Sequence, residues 1–237
     1  MSKRTEMRKR RQSRGRRRQL AVVGVVALLA VLVAGYLIWP SLQPVGEITP
    51  ITKQEYPLAD GSALGPATAP VVIQVFSDFQ CPNCLTFANG VEKQIIETYL
   101  PTGQVRLEYL HYLVIDQIRG GSESRQAAIA GECAAQQGEF WNYHDILFAN
   151  QRGEASGAFA NKRLVAMGEA LQLDMTAFND CFGPGTTAGL VSADEALATQ
   201  LGVSGTPTVF INGVQVPQDS VGTFAFYQQR LDPLIGQ

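Results

Sequence analysis

Residues 77–84 read SDFQCPNC, in which two cysteines are separated by two residues and a proline directly follows the first. The preceding run, residues 71–76, is β-branched and mostly apolar, which predicts a buried strand. The residues after Cys81 carry apolar side chains at helical spacing. Pro82 suits the first turn of a helix, because an N–H group at that position has no partner within the helix. The pattern therefore places Cys81 at the start of a helix that directly follows a strand.

This position favours a reactive cysteine pair over a metal clip or a structural bridge. A CxxC zinc clip normally needs a second pair of ligands at short spacing, whereas Cys133 and Cys181 are far apart in the sequence. A purely structural bond between Cys81 and Cys84 would close too short a loop to remove much chain entropy. A helix start favours an anion, so the thiol pKa of Cys81 should be lowered and its thiolate fraction raised. We interpret Cys81 as the nucleophile and Cys84 as the resolving cysteine.

A second informative stretch is GVSGTPTVF, residues 202–210. Pro207 stands immediately before a predicted strand, where proline is unusual because it donates no ladder hydrogen bond. The bond before a proline is the kind for which a cis peptide costs little. We expect a cis Pro207 that turns the Thr206 backbone outward, free to pair with an extended peptide. The alternative is an ordinary trans proline at the strand entry.

The order of predicted elements defines an α/β protein. A strand, a helix and a second strand at 105–114 come first, then several helices, a β-hairpin turning at Asn212-Gly213, and a final helix. A mixed sheet with a helical insertion at about residues 120–200 satisfies this order. We place this single domain at residues 67–237.

The N-terminal part has a different composition. Residues 1–19 hold ten Lys or Arg and one acid, whereas the rest holds nine Lys or Arg and twenty acids, a net charge of −11. Residues 20–38 carry no charge and, at about 1.5 Å per residue, match the hydrocarbon thickness of a bilayer. Basic flanks stay in the cytoplasm. We therefore predict a basic cytoplasmic tail at 1–19 and an uncleaved transmembrane helix at 20–39, with a cleaved signal peptide as the alternative.

This topology puts the rest of the chain outside the cell membrane. Residues 40–66, rich in Pro, Gly, Thr and Ser, are predicted to form a flexible linker. All four cysteines then lie where thiols are oxidised by default. We interpret Cys133 and Cys181 as a structural disulfide, with a second redox pair as the alternative. His111 and His144 show no ligand spacing and are expected to be polar surface or satisfied groups, and the sequence predicts neither a metal site nor a cofactor.

CPNC after a buried strand, the block ECAAQQGEFWNYHDILFANQ and the segment LGVSGTPTVFING together resemble the DsbA-like thiol–disulfide oxidoreductases of the thioredoxin superfamily, in a membrane-anchored form. The resemblance covers about residues 69–237. It implies a thioredoxin fold with a helical insertion, a nucleophilic Cys81, a resolving Cys84, a cis Pro207 facing them and a Thr206 that contacts the substrate backbone.

The sequence departs from that family at one position. Many members carry a buried acid six residues before the first cysteine, where it helps proton transfer from the inner thiol. Here that position is Val75, and Asp78 is the candidate substitute. Asn83, between the two cysteines, is neutral, so we expect a weaker oxidant than a histidine there would give.

The resemblance implies an extracytoplasmic enzyme that introduces disulfide bonds into unfolded exported proteins. A substrate thiolate attacks Cys81, Cys84 leaves, and a second substrate thiol resolves the mixed disulfide. A membrane partner, DsbB-like or VKOR-like, would reoxidise the enzyme. Two alternatives remain open: a disulfide reductase or isomerase, for example in cytochrome maturation, and a non-catalytic module that binds a metal or a peptide.

Overall fold

The computed structural model describes residues 23–36, 38, 44–56 and 58–235. The chain divides into two compact units, Met1–Val45 and Gly46–Gln237. In the first unit, residues 23–36 are helical. Within the described residues, no helix has both the length and the hydropathy needed to cross a membrane. The predicted transmembrane segment 20–39 reaches into residues outside the described part, and the basic tail at 1–19 lies wholly outside it.

In the second unit, the described strands form one six-stranded mixed sheet. Its order is β1-β2-β4-β3-β5-β6. The strands are β1 Ala59–Asp60, β2 Ala63–Leu64, β3 Val71–Ser77, β4 Val105–His111, β5 Thr208–Ile211 and β6 Val214–Gln215. The central pair, β3 and β4, is parallel, while β5 runs antiparallel to β3. The sheet therefore has the mixed character that the sequence order predicts.

The two central strands supply the middle of the core. In β4 every second residue is buried, namely Val105, Leu107, Tyr109 and His111, as expected for a strand with one face on the core. In the parallel register Val75 lies beside Tyr109, so their side chains share one face of the sheet. A buried tyrosine and a buried histidine thus line the sheet close to the end of β3, where the cysteine motif begins.

Helices cover the sheet and fill the long excursion between β4 and β5. They are α1 Pro82–Phe87, α2 Lys93–Tyr99, α3 Val114–Arg119, α4 Glu123–Ala135, α5 Phe140–Ala149, α6 Asn161–Ala170, α7 Met175–Phe182, α8 Ala188–Gln200 and α9 Phe224–Ile235. The cap of α7 follows the expected chemistry, because the Asp174 carboxylate accepts hydrogen bonds from the N–H groups of Thr176 and Ala177. The aromatic residues of α5 pack inward, with Phe140, Trp141 and Tyr143 fully buried.

A π-helical turn, Ala88–Glu92, separates α1 from α2. The wider turn changes which side chains face the core, and Glu92 becomes buried next to the buried Val91. Such turns are frequent at functional sites. Here the turn carries a buried carboxylate, which pairs with His144 at 3.1 Å.

The linker predicted at residues 40–66 is wrong from residue 46 onward. The Asn150 side chain binds both the N–H and the carbonyl of Thr49, at 2.8 and 2.9 Å. Asn142 holds Gln54 in the same way, at 2.8 and 3.1 Å. The partners lie on α5, about a hundred residues away, so no local pattern could reveal them. The domain therefore begins near residue 46, some twenty residues before the predicted boundary at residue 67.

Candidate active site

The two cysteines lie where β3 gives way to α1. Cys81 is the N-cap residue of α1 with extended backbone dihedrals, and Pro82 occupies the first turn. The Cys81 carbonyl accepts the N–H of Leu85 at 3.1 Å, which begins the helical ladder. Both thiols are free, and Cys84 is more deeply buried than Cys81. The sequence motif is therefore held as a strand–loop–helix unit, with Cys81 at the start of the helix and Cys84 one turn further in.

The environment separates the two thiols electrostatically. The pKa of Cys81 is lowered to about 6, chiefly because the Cys84 thiol donates a hydrogen bond to its thiolate, while burial opposes the shift. The Thr206 side chain and the N–H groups of Cys84 and Asn83 lower this pKa further. Burial raises the pKa of Cys84 well above its usual range, and the neighbouring Cys81 raises it again. Cys81 is thus the thiolate at neutral pH and Cys84 the protonated partner.

We expect a titration of the reduced protein to show one thiolate forming with a midpoint near pH 6. The ultraviolet absorbance of the thiolate measures this directly, and Cys81→Ser is the control that should remove the step. An ordinary cysteine titrates at about 8.5. A midpoint at or above that value would contradict the proposed stabilisation of the Cys81 anion.

The segment before β5 faces Cys81. The Thr206–Pro207 peptide bond is cis. The Thr206 carbonyl lies 3.4 Å from the Cys81 sulfur, where it can accept the S–H group of the protonated thiol. A cavity of about 420 Å³ opens beside this contact, and its lining includes Asn83, Thr86 and Pro207. The arrangement leaves an extended chain room to lie beside the reactive sulfur.

Asp78 is buried, but its carboxylate is engaged with the backbone and with α4. It accepts hydrogen bonds from the N–H groups of Gln80 and Ile115 and from the Ser124 hydroxyl, at 2.8 to 2.9 Å. Burial raises the pKa of Asp78 to about 6. Its backbone N–H, by contrast, favours the Cys84 thiolate. The side chain fixes the loop before Cys81, and Val75 leaves the usual acid position apolar.

The other two cysteines form a disulfide away from the CPNC motif. Cys133 on α4 and Cys181 on α7 are bonded, with their Cα atoms 5.8 Å apart. Neither sulfur is free for exchange in this state. The bond joins two helices of the insertion.

Both histidines are buried and paired with acids. The His111 Nε2 atom lies 3.0 Å from Glu132, and the His144 Nε2 atom lies 3.1 Å from Glu92. Glu92 and Asp145 help to raise the pKa of His144 to about 9, against the effect of burial. Across the described residues, no group of three or more His, Cys, Asp or Glu is arranged to hold a metal ion.

Sequence reasoning missed several residues around the motif. The Gln151 amide donates to the carbonyls of Phe79 and Cys81, at 2.6 and 3.1 Å, and so fixes the turn before α1. The Ser77 hydroxyl favours the thiolate of Cys84. Tyr109 lies on the neighbouring strand beside Val75. These residues carry no local signal, because their roles depend on the strand register and on the segment just after α5, some seventy residues downstream.

The family profile described as thioredoxin matches residues 59–226, which include the whole site. The chain belongs to the thioredoxin family. Among curated proteins, one relative is "Probable disulfide bond formation protein D" of Bacillus cereus. It is 28% identical to this chain, and the match covers 82% of this chain and 89% of the relative. Among solved structures, BdbD of Bacillus subtilis in its oxidised form matches with a TM-score of 0.66 and 19% identity, covering 80% of this chain and all of that one.

Another relative is much longer than the protein described here. "Na(+)/H(+) antiporter NhaA 3" of Salinispora tropica is 34% identical over 63% of this chain. The match covers only 21% of the antiporter, so the chain spans about a fifth of that protein's length. Some of the matched relatives are named for disulfide bond formation, and BdbD of Bacillus subtilis shares the fold of this chain.

Proposed function

We propose that the protein introduces disulfide bonds into exported proteins through a redox pair of Cys81 and Cys84. The observation that carries the proposal is the difference between the two thiols. Cys81 is stabilised as a thiolate, whereas burial disfavours ionisation of Cys84. A stabilised thiolate makes the reduced state favourable, so the oxidised enzyme passes its disulfide to others.

The reaction would proceed in two exchanges. A substrate thiolate attacks the Cys81 sulfur of the oxidised pair, and Cys84 leaves as a thiolate that takes up a proton. A second substrate thiolate then attacks the substrate sulfur of the mixed disulfide, and Cys81 leaves as the stabilised thiolate. The enzyme gains two electrons and the substrate gains one disulfide. The Thr206 carbonyl and the cavity beside Pro207 would hold the substrate chain during both steps.

The location and partners belong to the same proposal. The basic residues at 1–19 and the uncharged run at 20–38 support a single-pass anchor with a cytoplasmic N-terminus and an extracytoplasmic catalytic domain. Unfolded exported proteins with free thiols are the proposed substrates. A DsbB-like or VKOR-like membrane protein is the proposed reoxidant, because each turnover leaves the enzyme reduced.

The variant Cys84→Ser tests whether the protein catalyses thiol–disulfide exchange. It should retain the nucleophile but lose the resolving thiol, so mixed disulfides with exported proteins should accumulate in cells and appear on non-reducing gels. The matched control Cys81→Ser should trap none. Failure of Cys84→Ser to trap any protein, together with stoichiometric zinc or copper binding, would favour a non-catalytic module instead.

The reduction potential of the full-length protein, measured against glutathione, tests the direction. An oxidase should have a potential well above the value of about −270 mV for thioredoxin. A potential near the thioredoxin value would instead assign the protein to the reductases, and rapid reshuffling of a scrambled substrate would assign it to the isomerases.

A further inference from the structure

The hydroxyl group of Tyr109 is buried without a well-formed hydrogen bond. Tyr109 is 1% exposed, and among the described residues its Oη atom has no hydrogen bond of good geometry, although the Ser77 hydroxyl interacts with it. Buried hydroxyl groups are normally satisfied, so such an orphan calls for an explanation. Another fully buried tyrosine, Tyr143, satisfies its hydroxyl, which donates to the Leu164 carbonyl at 2.8 Å.

The position of Tyr109 relates it to the resolving cysteine. Tyr109 pairs with Val75 across the parallel strands β3 and β4, at the position where a carboxylate is absent. The ring is held rigidly, stacked on Phe79 with centroids 5.1 Å apart and edge-on to His144 at 5.3 Å. The Ser77 hydroxyl acts on both Cys84 and Tyr109, favouring the ionised form of each. Ser77 lies on the same face of the sheet as Val75 and Tyr109, so it is the group that relates the Tyr109 hydroxyl to Cys84.

The surroundings keep Tyr109 protonated. Burial raises its pKa well above the usual range, and the charge of an ionised Cys84 raises it further. At any pH at which Cys84 reacts, Tyr109 is therefore an O–H donor and not a base. The ionisable groups around Tyr109 and Cys84 are Cys81 on α1, Asp78 after β3, Glu92 on the π turn, His111 on β4 and His144 on α5.

We propose that Tyr109 is a positioning residue that donates its hydroxyl to the Cys84 thiolate, in place of the acid that Val75 lacks. The inference rests on the proposed function, since it concerns the resolving step of the same redox pair. The orphan donor finds its acceptor only when Cys84 is ionised. This happens when a substrate displaces Cys84 from the disulfide, and again when Cys84 attacks a mixed disulfide.

The resolving step can be written for a glutathione mixed disulfide on Cys81. Cys84 loses its proton to solvent, and its thiolate is held by Tyr109, Ser77 and the N–H of Asp78. The thiolate attacks the Cys81 sulfur, the Cys81–glutathione bond breaks, and glutathione leaves as a thiolate that takes a proton from solvent. Cys84 and Cys81 are oxidised together to one disulfide, while Tyr109 keeps its own proton throughout.

The test compares two steps in the full-length reduced protein mixed with oxidised glutathione. Acid quenching and mass analysis separate the mixed disulfide from the internal disulfide. For Tyr109→Phe we expect formation of the mixed disulfide at the wild-type rate, because that step uses Cys81. Its conversion to the internal disulfide should slow about tenfold near neutral pH. The difference should shrink at high pH, where Cys84 ionises without help.

Phenylalanine keeps the ring contacts and removes a hydroxyl that has no well-formed hydrogen bond, so Tyr109→Phe should fold normally. Tyr143→Phe is the matched control: it loses a real hydrogen bond and some thermal stability but should resolve at the wild-type rate. Resolution by Tyr109→Phe within about twofold of wild type, or equal slowing of both steps, would overturn the proposal. A wild-type protein that exchanges no disulfide with glutathione would instead remove the proposed function itself.

Discussion

Replacement of Cys81 by serine should lower the rate of disulfide transfer at least about a thousandfold, because the hydroxyl does not ionise near neutral pH and cannot enter a disulfide. No other sulfur can take over. Cys84 is buried and holds its proton, and Cys133 and Cys181 are bonded to each other. The measurement is the rate at which the oxidised protein converts a reduced two-cysteine peptide to its disulfide.

The Cys81 experiment carries its own controls. Cys84→Ser keeps the nucleophile and should still form mixed disulfides when the reduced variant meets oxidised glutathione. Circular dichroism of Cys81→Ser should match the wild type, because serine has nearly the same shape and its hydroxyl can donate to the Thr206 carbonyl as the thiol does. Activity of Cys81→Ser above about a tenth of wild type would mean that another group performs the attack.

Loss of the disulfide between Cys133 and Cys181 should destabilise the fold by about 4 kcal/mol, since in the chain-entropy model a bond across 48 residues removes that much freedom from the unfolded chain. This is a large share of the 5 to 15 kcal/mol that typically separates folded from unfolded domains, by rough estimate. Urea unfolding of Cys133→Ser/Cys181→Ser against the wild type measures it.

The double variant Cys81→Ser/Cys84→Ser, compared with the reduced protein, is the matched control, because it also replaces two cysteines but removes no bond: both thiols are free. Its unfolding midpoint should move far less. The thiolate titration of Cys133→Ser/Cys181→Ser should keep its midpoint near pH 6, because the bond contacts neither reactive sulfur. A stability loss below about 1 kcal/mol would assign the bond a role other than restraining the unfolded chain.

Local chemistry allowed the sequence to predict the reactive half of the site. A proline directly after a cysteine that follows a β-branched run suits the first turn of a helix, whereas Thr206-Pro207 before a strand left a cis and a trans peptide bond open. The structure brings these two segments within 3.4 Å of each other. The resemblance to a known family supplied their facing arrangement, which neither segment reveals alone.

The supporting half of the site could not be predicted in this way. Tyr109 and Ser77 acquire meaning only through the register of β3 against β4, and a tyrosine within a strand reads as ordinary core. Glu92 is charged, so the sequence gives no reason to expect its burial, and the π turn that contains it has no clear sequence signal. The predicted linker failed for a related reason, because its polar backbone is satisfied by side chains from α5.

The hydrogen bonds from Asn142 and Asn150 to the backbone of Gln54 and Thr49 limit how far this protein can be shortened at its N-terminal side. The family match begins at residue 59. Each asparagine, however, binds both the N–H and the carbonyl of a residue before that point, Thr49 or Gln54. A recombinant fragment that begins at residue 59 would leave both asparagine side chains without these hydrogen-bond partners. It would also expose the part of the apolar core against which Ile48 and Ile51 pack. The smallest fragment that folds on its own should therefore begin before β1, within a segment whose amino-acid composition is typical of a flexible linker.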